Sequence, residues 1–209
     1  MEKLIAIVLG VGMVTGCLFG EPAKTLRDYV FAKSEEAIPN RGSELSAPAR
    51  HLPAAQPCLE AETDSLWPKA VILDEDCFEA PALATQTNAF SVALWVKPIA
   101  PGLKTGNGGS VNGMLCSSGS GYYDGWRLTL FDWETHRPTL EIGRKEGAWN
   151  VRSTIPLSVG FWNVLVATWD GANARLYING MIAAVQPYTG PMVPPQNPFR
   201  VGYAGFGVG

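Results

Sequence analysis

Phe161-Trp162-Asn163-Val164-Leu165-Val166-Ala167-Thr168-Trp169, then Asp170-Gly171, Arg175-Leu176-Tyr177-Ile178 and Asn179-Gly180, make one stretch of two β-rich runs joined by a turn. A second turn leads into a third run, residues 181–186. Asp-Gly and Asn-Gly supply the positive φ angles of tight turns, since glycine has no Cβ to clash and Asn and Asp tolerate the left-handed region. In the first run Trp162, Val164, Val166 and Thr168 share a face, and Phe161, Leu165, Ala167 and Trp169 share the other. Both faces are largely apolar, so this strand is expected in the middle of a sheet, covered on both sides.

The same period runs outward from it. Phe90, Val92, Leu94 and Val96 point one way and Ser91, Ala93, Trp95 and Lys97 the other, until Pro98 removes a ladder donor. Residues 114–116 read as a short strand. Trp126, Leu128 and Leu130 share a face, as do Leu140 with Ile142, and Trp149, Val151 and Ser153. Leu176 and Ile178 oppose Tyr177, and after a Pro-rich crossing over 187–198 the run Phe199-Arg200-Val201-Gly202-Tyr203 alternates again. Short strands between turn signals, with no helical period separating them, predict an all-β fold: an antiparallel sandwich of two sheets.

Composition agrees. The chain has 209 residues, room for one domain with a full core, and 23 Gly, 16 Pro and 7 Trp suit a turn-rich β domain. Its net charge of −3, without a basic patch, argues against nucleic acid as a partner.

Residues 1–17 have the form of an export signal. Lys3 is followed by an apolar run over 4–14, too short to span a bilayer comfortably. The run ends in Val14-Thr15-Gly16-Cys17, which resembles a bacterial lipobox and makes Cys17 the candidate for lipidation. An ordinary signal cut elsewhere, or an uncleaved anchor, is the alternative. Residues 18–66 read as a mostly irregular leader, with a short helix over 25–37 and an Ala/Pro/Ser-rich linker over 43–57. The sandwich is expected over 67–209.

In an exported chain Cys58 and Cys77 are candidates for a disulfide, leaving Cys116 single; bridges from Cys116 to either remain open. No Cys-x-x-Cys spacing supports zinc, and His51 and His136, far apart, read as surface residues.

From Phe90 to Tyr203 the chain resembles the laminin-G-like branch of the concanavalin A-like lectin/glucanase superfamily. The resemblance rests on the order of Phe90-Ser91-Val92-Ala93-Leu94-Trp95-Val96-Lys97-Pro98, Gly125-Trp126-Arg127-Leu128, the run from Trp162 to Gly171, Arg175-Leu176-Tyr177-Ile178-Asn179-Gly180 and Phe199-Arg200-Val201-Gly202. It implies a jelly roll that recognises glycans or proteins, often beside bound calcium. Two features depart from the pattern. The sequence ends at Gly209 without the closing strand, so either the frame is cut short or a leader strand near Val71 takes over its work. The acidic loop residues also form no clear calcium set.

For chemistry, the glycine-rich segment 101–113 lacks the Lys-Ser/Thr and helix of a phosphate-binding loop and reads as a surface loop. A glycosidase needs paired carboxylates. The best acidic cluster, Asp74-Glu75-Asp76-Cys77-Phe78-Glu79, has no Glu-x-Asp-x-Glu spacing and reads as a solvated turn. Ser118-Gly119-Ser120-Gly121 opens no helix and is not a nucleophile elbow. Sugar recognition needs an exposed aromatic face with polar groups beside it. Tyr122, Tyr123 and Trp133, with Asp124, are the candidate ligand contacts, and Asp124 with Asp132 the candidate calcium ligands; Asp170 and Asn179 read as turn residues. The expected function is an exported, lipid-anchored carbohydrate- or protein-binding module of the cell envelope, without catalysis. A glycoside-active enzyme of the same fold and a purely structural assembly domain are the alternatives.

Overall fold

The computed structural model describes residues 6–15, 24–30, 37–38, 49–52, 59–62, 69–73, 77–82, 89–98, 113–132 and 136–202. Every regular element among them is a strand. In chain order these are β1 (Ala6–Thr15), β2 (Lys24–Val30), β3 (Ala37–Ile38), β4 (Ala49–Leu52), β5 (Leu59–Glu62), β6 (Lys69–Leu73), β7 (Cys77–Ala80), β8 (Phe90–Pro98), β9 (Gly113–Ser118), β10 (Trp126–Asp132), β11 (Arg137–Ile142), β12 (Trp149–Arg152), β13 (Asn163–Trp169), β14 (Asn173–Ile178), β15 (Met181–Pro187) and β16 (Phe199–Gly202). They form two antiparallel sheets. Sheet A runs β15-β14-β13-β8-β1-β6-β5, with β2 also on β1; sheet B runs β12-β11-β10-β9-β16-β7-β4-β3.

Alternation decides which face each strand buries. Phe90, Val92, Leu94 and Val96 of β8 and Leu165, Ala167 and Trp169 of β13 turn inward, to meet Trp126, Leu128 and Leu130 of β10, Leu140 and Ile142 of β11, and Phe199 and Val201 of β16. The layers interlock through aromatic rings: Phe90 stacks on Trp126 at 5.1 Å between centroids, and Trp169 meets Phe90 edge-on at 6.0 Å. Burying each such ring stabilises the fold by roughly 1.5–3 kcal/mol. Cys116, on β9, is a free thiol inside this core, and burial raises its pKa far above the ordinary range. Of the proposed disulfide pair, Cys58 lies outside the described residues and Cys77 is described only as the first residue of β7.

The hairpins form as their turn residues require. Asn179 and Gly180, both at positive φ (51° and 82°), close the two-residue loop between β14 and β15. Asp170 caps the preceding turn, its Oδ1 accepting the amides of Ala172 and Asn173 and its Oδ2 the guanidinium of Arg175.

Several expectations are corrected. Residues 24–30 are strand β2, paired with β1, where a helix over 25–37 was expected; so short a helix gains little by itself, and Thr25, Tyr29 and Val30 suit a strand. Within the leader, β3, β4 and β5 join the sheets. The leader strand near Val71 is β6, separated from β8 by β1. Residues 6–15 of the N-terminal apolar run form strand β1, between β6 and β8. His136 is buried, not at the surface, in a left-handed turn (φ 49°) whose carbonyl accepts the Leu157 amide. Phe161 belongs to a turn ahead of β13 and faces solvent, while Asn163 takes the inward position at the strand's start. The segment 99–112, which holds most of the glycine-rich loop, lies outside the described residues.

Candidate ligand-binding end of the sandwich

At one end of the sandwich the segment 119–125 between β9 and β10 meets the 143–148 turn and the Pro-rich crossing 187–198. Its centre is Asp124, which is buried. Asp124 Oδ1 accepts the amide of Ser120 at 2.9 Å and Oδ2 the amide of Gln196 at 2.6 Å. Ser120 Oγ in turn accepts the amides of Tyr122, Tyr123 and Asp124 at 3.1–3.3 Å. Three backbone bonds complete the lock: Gly125 to Val193, Gly143 to Gly125 and Val193 to Gly143. A Cβ at residue 143 would run into the Asp124 backbone, so only glycine lets the two segments approach this closely.

The lock presents two aromatic rings. Tyr122 is 46% and Tyr123 62% exposed, and their centroids are 4.6 Å apart at 82°, an edge-to-face pair. The Tyr122 ring lies over Gly147, whose turn carries Arg144, Lys145 and Glu146. Arg144 Nε donates to the Gly147 carbonyl. Behind the turn Trp149 stacks on Tyr188 at 4.7 Å, and Trp169 Nε1 donates to the Tyr188 carbonyl. Burial raises the pKa of the Tyr188 hydroxyl, which donates to Pro191. Two neutral rings beside one guanidinium, one ammonium and one carboxylate offer apolar C–H contact plus donors and acceptors, which polyhydroxylated ligands need.

Tyr122, Tyr123 and Asp124 are thus brought together, but Asp124 serves as a staple, its oxygens turned to backbone amides. Trp133 lies outside the described residues, and of Asp132 only the backbone is described. Asp132 ends β10, so the length of that strand, about 20 Å, separates it from Asp124. The two do not meet at one ion. Calcium takes six to eight oxygens; no group of three or more His, Cys, Asp or Glu suited to a metal occurs among the described residues, and the set does not fit the ion. The 143–147 turn, Trp149 and Tyr188 were not anticipated as part of this end. The Arg144-Lys145-Glu146-Gly147 turn signal was visible, but its position under Tyr122 depends on register between β10 and β11.

The carboxylates are also placed. Glu79 lies within sheet B on β7, not on a solvated turn, because it pairs with Arg200 (Nη2 to Oε2, 2.8 Å) on β16. Glu141 is buried against Arg127, its neighbour across the β10–β11 ladder. Cross-strand pairing sets Glu79, Arg200, Ser117, Arg127 and Glu141 in one row, so four strand spacings, about 19 Å, part the two glutamates.

Residues 75–208 match the family Laminin_G_3, of the concanavalin A-like lectin/glucanases superfamily, and the chain belongs to that family. It is similar in structure to domain 4 of AbnA, a GH43 extracellular arabinanase from Geobacillus stearothermophilus, in complex with arabinotriose: 19% identity, TM-score 0.51, 70% of this chain and 66% of that one. A weaker likeness is to the binding domain of Paraclostridial Mosquitocidal Protein 1, at 12% identity and TM-score 0.43, over 94% of this chain and 48% of that one. This chain thus spans about two thirds of the first structure and about half of the second. The first likeness is one of fold. No curated protein sequence matches the chain.

Proposed function

We propose that this chain is a carbohydrate-binding module, exported and held at the cell envelope by a lipid on Cys17, and that it recognises glycan without cleaving it. The observation that carries the reading is the exposed Tyr122–Tyr123 pair on a loop pinned by Asp124. An aromatic platform held rigid before binding loses little entropy when a sugar stacks on it. The carboxylates support binding over hydrolysis: Glu79 and Glu141 stand about 19 Å apart, well beyond the roughly 5–9.5 Å that glycosidases use, and each is closed on an arginine. The export reading is supported by the apolar run and by Val14-Thr15-Gly16-Cys17. Cutting before Cys17 would remove β1 from sheet A and bare the edge of β8.

A glycan array probed with and without calcium tests the binding, with arabinotriose among the ligands because it accompanies the similar arabinanase domain. The hydrogen bonds at Asp124 favour binding that calcium does not change. Release of oligosaccharide from a bound polysaccharide would establish an enzyme instead, and silence across the array a structural domain. Mass spectrometry of the mature N-terminus tests the anchor: diacylated Cys17 supports it, and an intact Met1 contradicts it.

A further inference from the structure

In sheet A, β1 lies between β8 on one side and β6 and β2 on the other. Its register sets residues 6, 8, 11 and 13 opposite Pro98, Val96, Leu94 and Val92, the buried, core-facing row of β8. Residues 10 and 12, both glycine, stand opposite Trp95 and Ala93 in the outer row. None of the 10 residues of β1 is charged. β8, β6 and β2 each run antiparallel to β1, so they are parallel to one another.

When the chain is cut before Cys17, β1 leaves and a slot one strand wide opens in the sheet. From β8 to β6 the slot spans two strand spacings, about 9.6 Å. One wall is the backbone edge of β8, stripped of its ladder partners, and the inner side opens on Val92, Leu94 and Val96, each 0% exposed while β1 is in place. Backbone donors and apolar side chains are then bared together, an arrangement that invites another strand. The sheet does not close over the slot easily. β8 would have to pair parallel with β6 and β2, exchanging the perpendicular bonds of an antiparallel ladder for slanted ones. β6 is also joined by residues 74–76 alone to β7, which sits between β16 and β4 in sheet B.

We infer that the mature chain takes an extended segment of a partner polypeptide into this slot as an added β-strand. The inference rests on the cut proposed above. β1 defines the partner's chemistry: about nine uncharged residues, apolar at alternate positions, glycine or alanine opposite Trp95 and Ala93, running antiparallel to β8. Ladder bonds along the slot supply affinity, and the core-facing row supplies selection. A helix does not suit the slot, because its backbone bonds are closed internally and would leave the β8 edge unpaired.

The test uses the mature-length chain, residues 17–209 with Cys17→Ser so that no acyl chain contributes. The probe is a synthetic peptide of residues 3–15, with Lys3 for solubility. Refolded from urea with the peptide at a hundred times its dissociation constant, the chain is expected to melt about 5–10 °C higher than without it. The same peptide with Val11→Asp and Met13→Asp, which sets two charges opposite the core-facing row, is expected to give no shift. Disulfide trapping reads the register. The peptide with Gly12→Cys should join the chain with Ala93→Cys, its ladder partner, and not the chain with Ser91→Cys, which pairs with residue 14. The full chain from Met1 holds β1 in the slot and should bind no peptide. Absence of both the shift and the trapping overturns the inference, as does equal trapping at residues 93 and 91. If mass spectrometry finds residues 6–15 retained in the mature protein, the cut and this inference fail together. A mature N-terminus at residue 17 without peptide binding overturns this inference alone and leaves the export proposal standing. A dimer of the mature chain that the peptide dissociates assigns the slot to a second copy and overturns the choice of a separate partner.

Discussion

The carboxylate of Asp124 accepts the backbone N–H of Gln196 at 2.6 Å across 72 residues of chain, while its other oxygen holds the amide of Ser120. One side chain thereby joins the tyrosine loop to the Pro-rich crossing. Asp124→Ala leaves both amides without an acceptor and is expected to lower stability by about 2–3 kcal/mol, read from the urea midpoint at unchanged slope. Asp124→Asn, which keeps one oxygen, should lose less. An unchanged midpoint in the alanine variant would show that the loop does not depend on this staple.

Asp170 sets an acid limit on the hairpin. The Arg175 guanidinium and the amides of Asn173 and Ala172 hold its carboxyl at about 2, below the usual value of about 3.9. A depressed native pKa contributes stability that is complete above about pH 4 and is lost as pH falls from there through about 2. More than a third of the side chain is exposed, so solvent screens the pair and the contribution is no more than about 1 kcal/mol. Asp170→Asn should be slightly less stable at pH 7, with the gap closing as pH falls through about 2; a gap of undiminished size below that pH contradicts the assignment.

The ion pair of Arg127 and Glu141 is buried on both sides. Glu141→Ala removes the carboxylate that pairs with the buried guanidinium and is expected to lower stability by about 3–5 kcal/mol. Replacing both partners, Arg127→Met with Glu141→Leu, should recover most of that loss, because the desolvation of two charges is removed with their attraction. A double-mutant cycle in denaturant measures the difference.

Thr129 and Thr139 face each other across the β10–β11 ladder, each with a buried hydroxyl that has no hydrogen-bond partner among the described residues. Changing both to valine keeps the shape and removes two unsatisfied groups. A gain of about 1–2 kcal/mol is expected, seen as a raised melting temperature; a loss would mean that the hydroxyls are satisfied in solution.

What could be read from the sequence was local. β8, β10 and β13 announce themselves because alternating side chains must face either a core or its outside, and Asp170-Gly171 and Asn179-Gly180 because few other pairs make such turns. β2 is not legible as a strand because its pattern is short and it gains order only by pairing with β1. The site was half legible. Tyr122 and Tyr123 were found as loop aromatics, but the work of Asp124 was hidden, since its Gln196 partner is set by the return of the crossing and not by any neighbour in sequence. Asp132 was grouped with Asp124 by closeness along the chain, although an intervening strand carries such residues to opposite ends.

The most direct test of the tyrosine platform is affinity electrophoresis of the whole chain through native gels containing arabinan, xylan, β-glucan or bacterial capsular polysaccharide, beside Tyr122→Ala with Tyr123→Ala. The gel reads sugar stacking on exposed rings that the core does not need, so the double variant should migrate as a folded protein in a plain gel. Retardation of the parent by at least one polysaccharide, abolished in the double variant, is the expected result. Equal retardation of both proteins, or free migration of the parent in every gel, would contradict the platform.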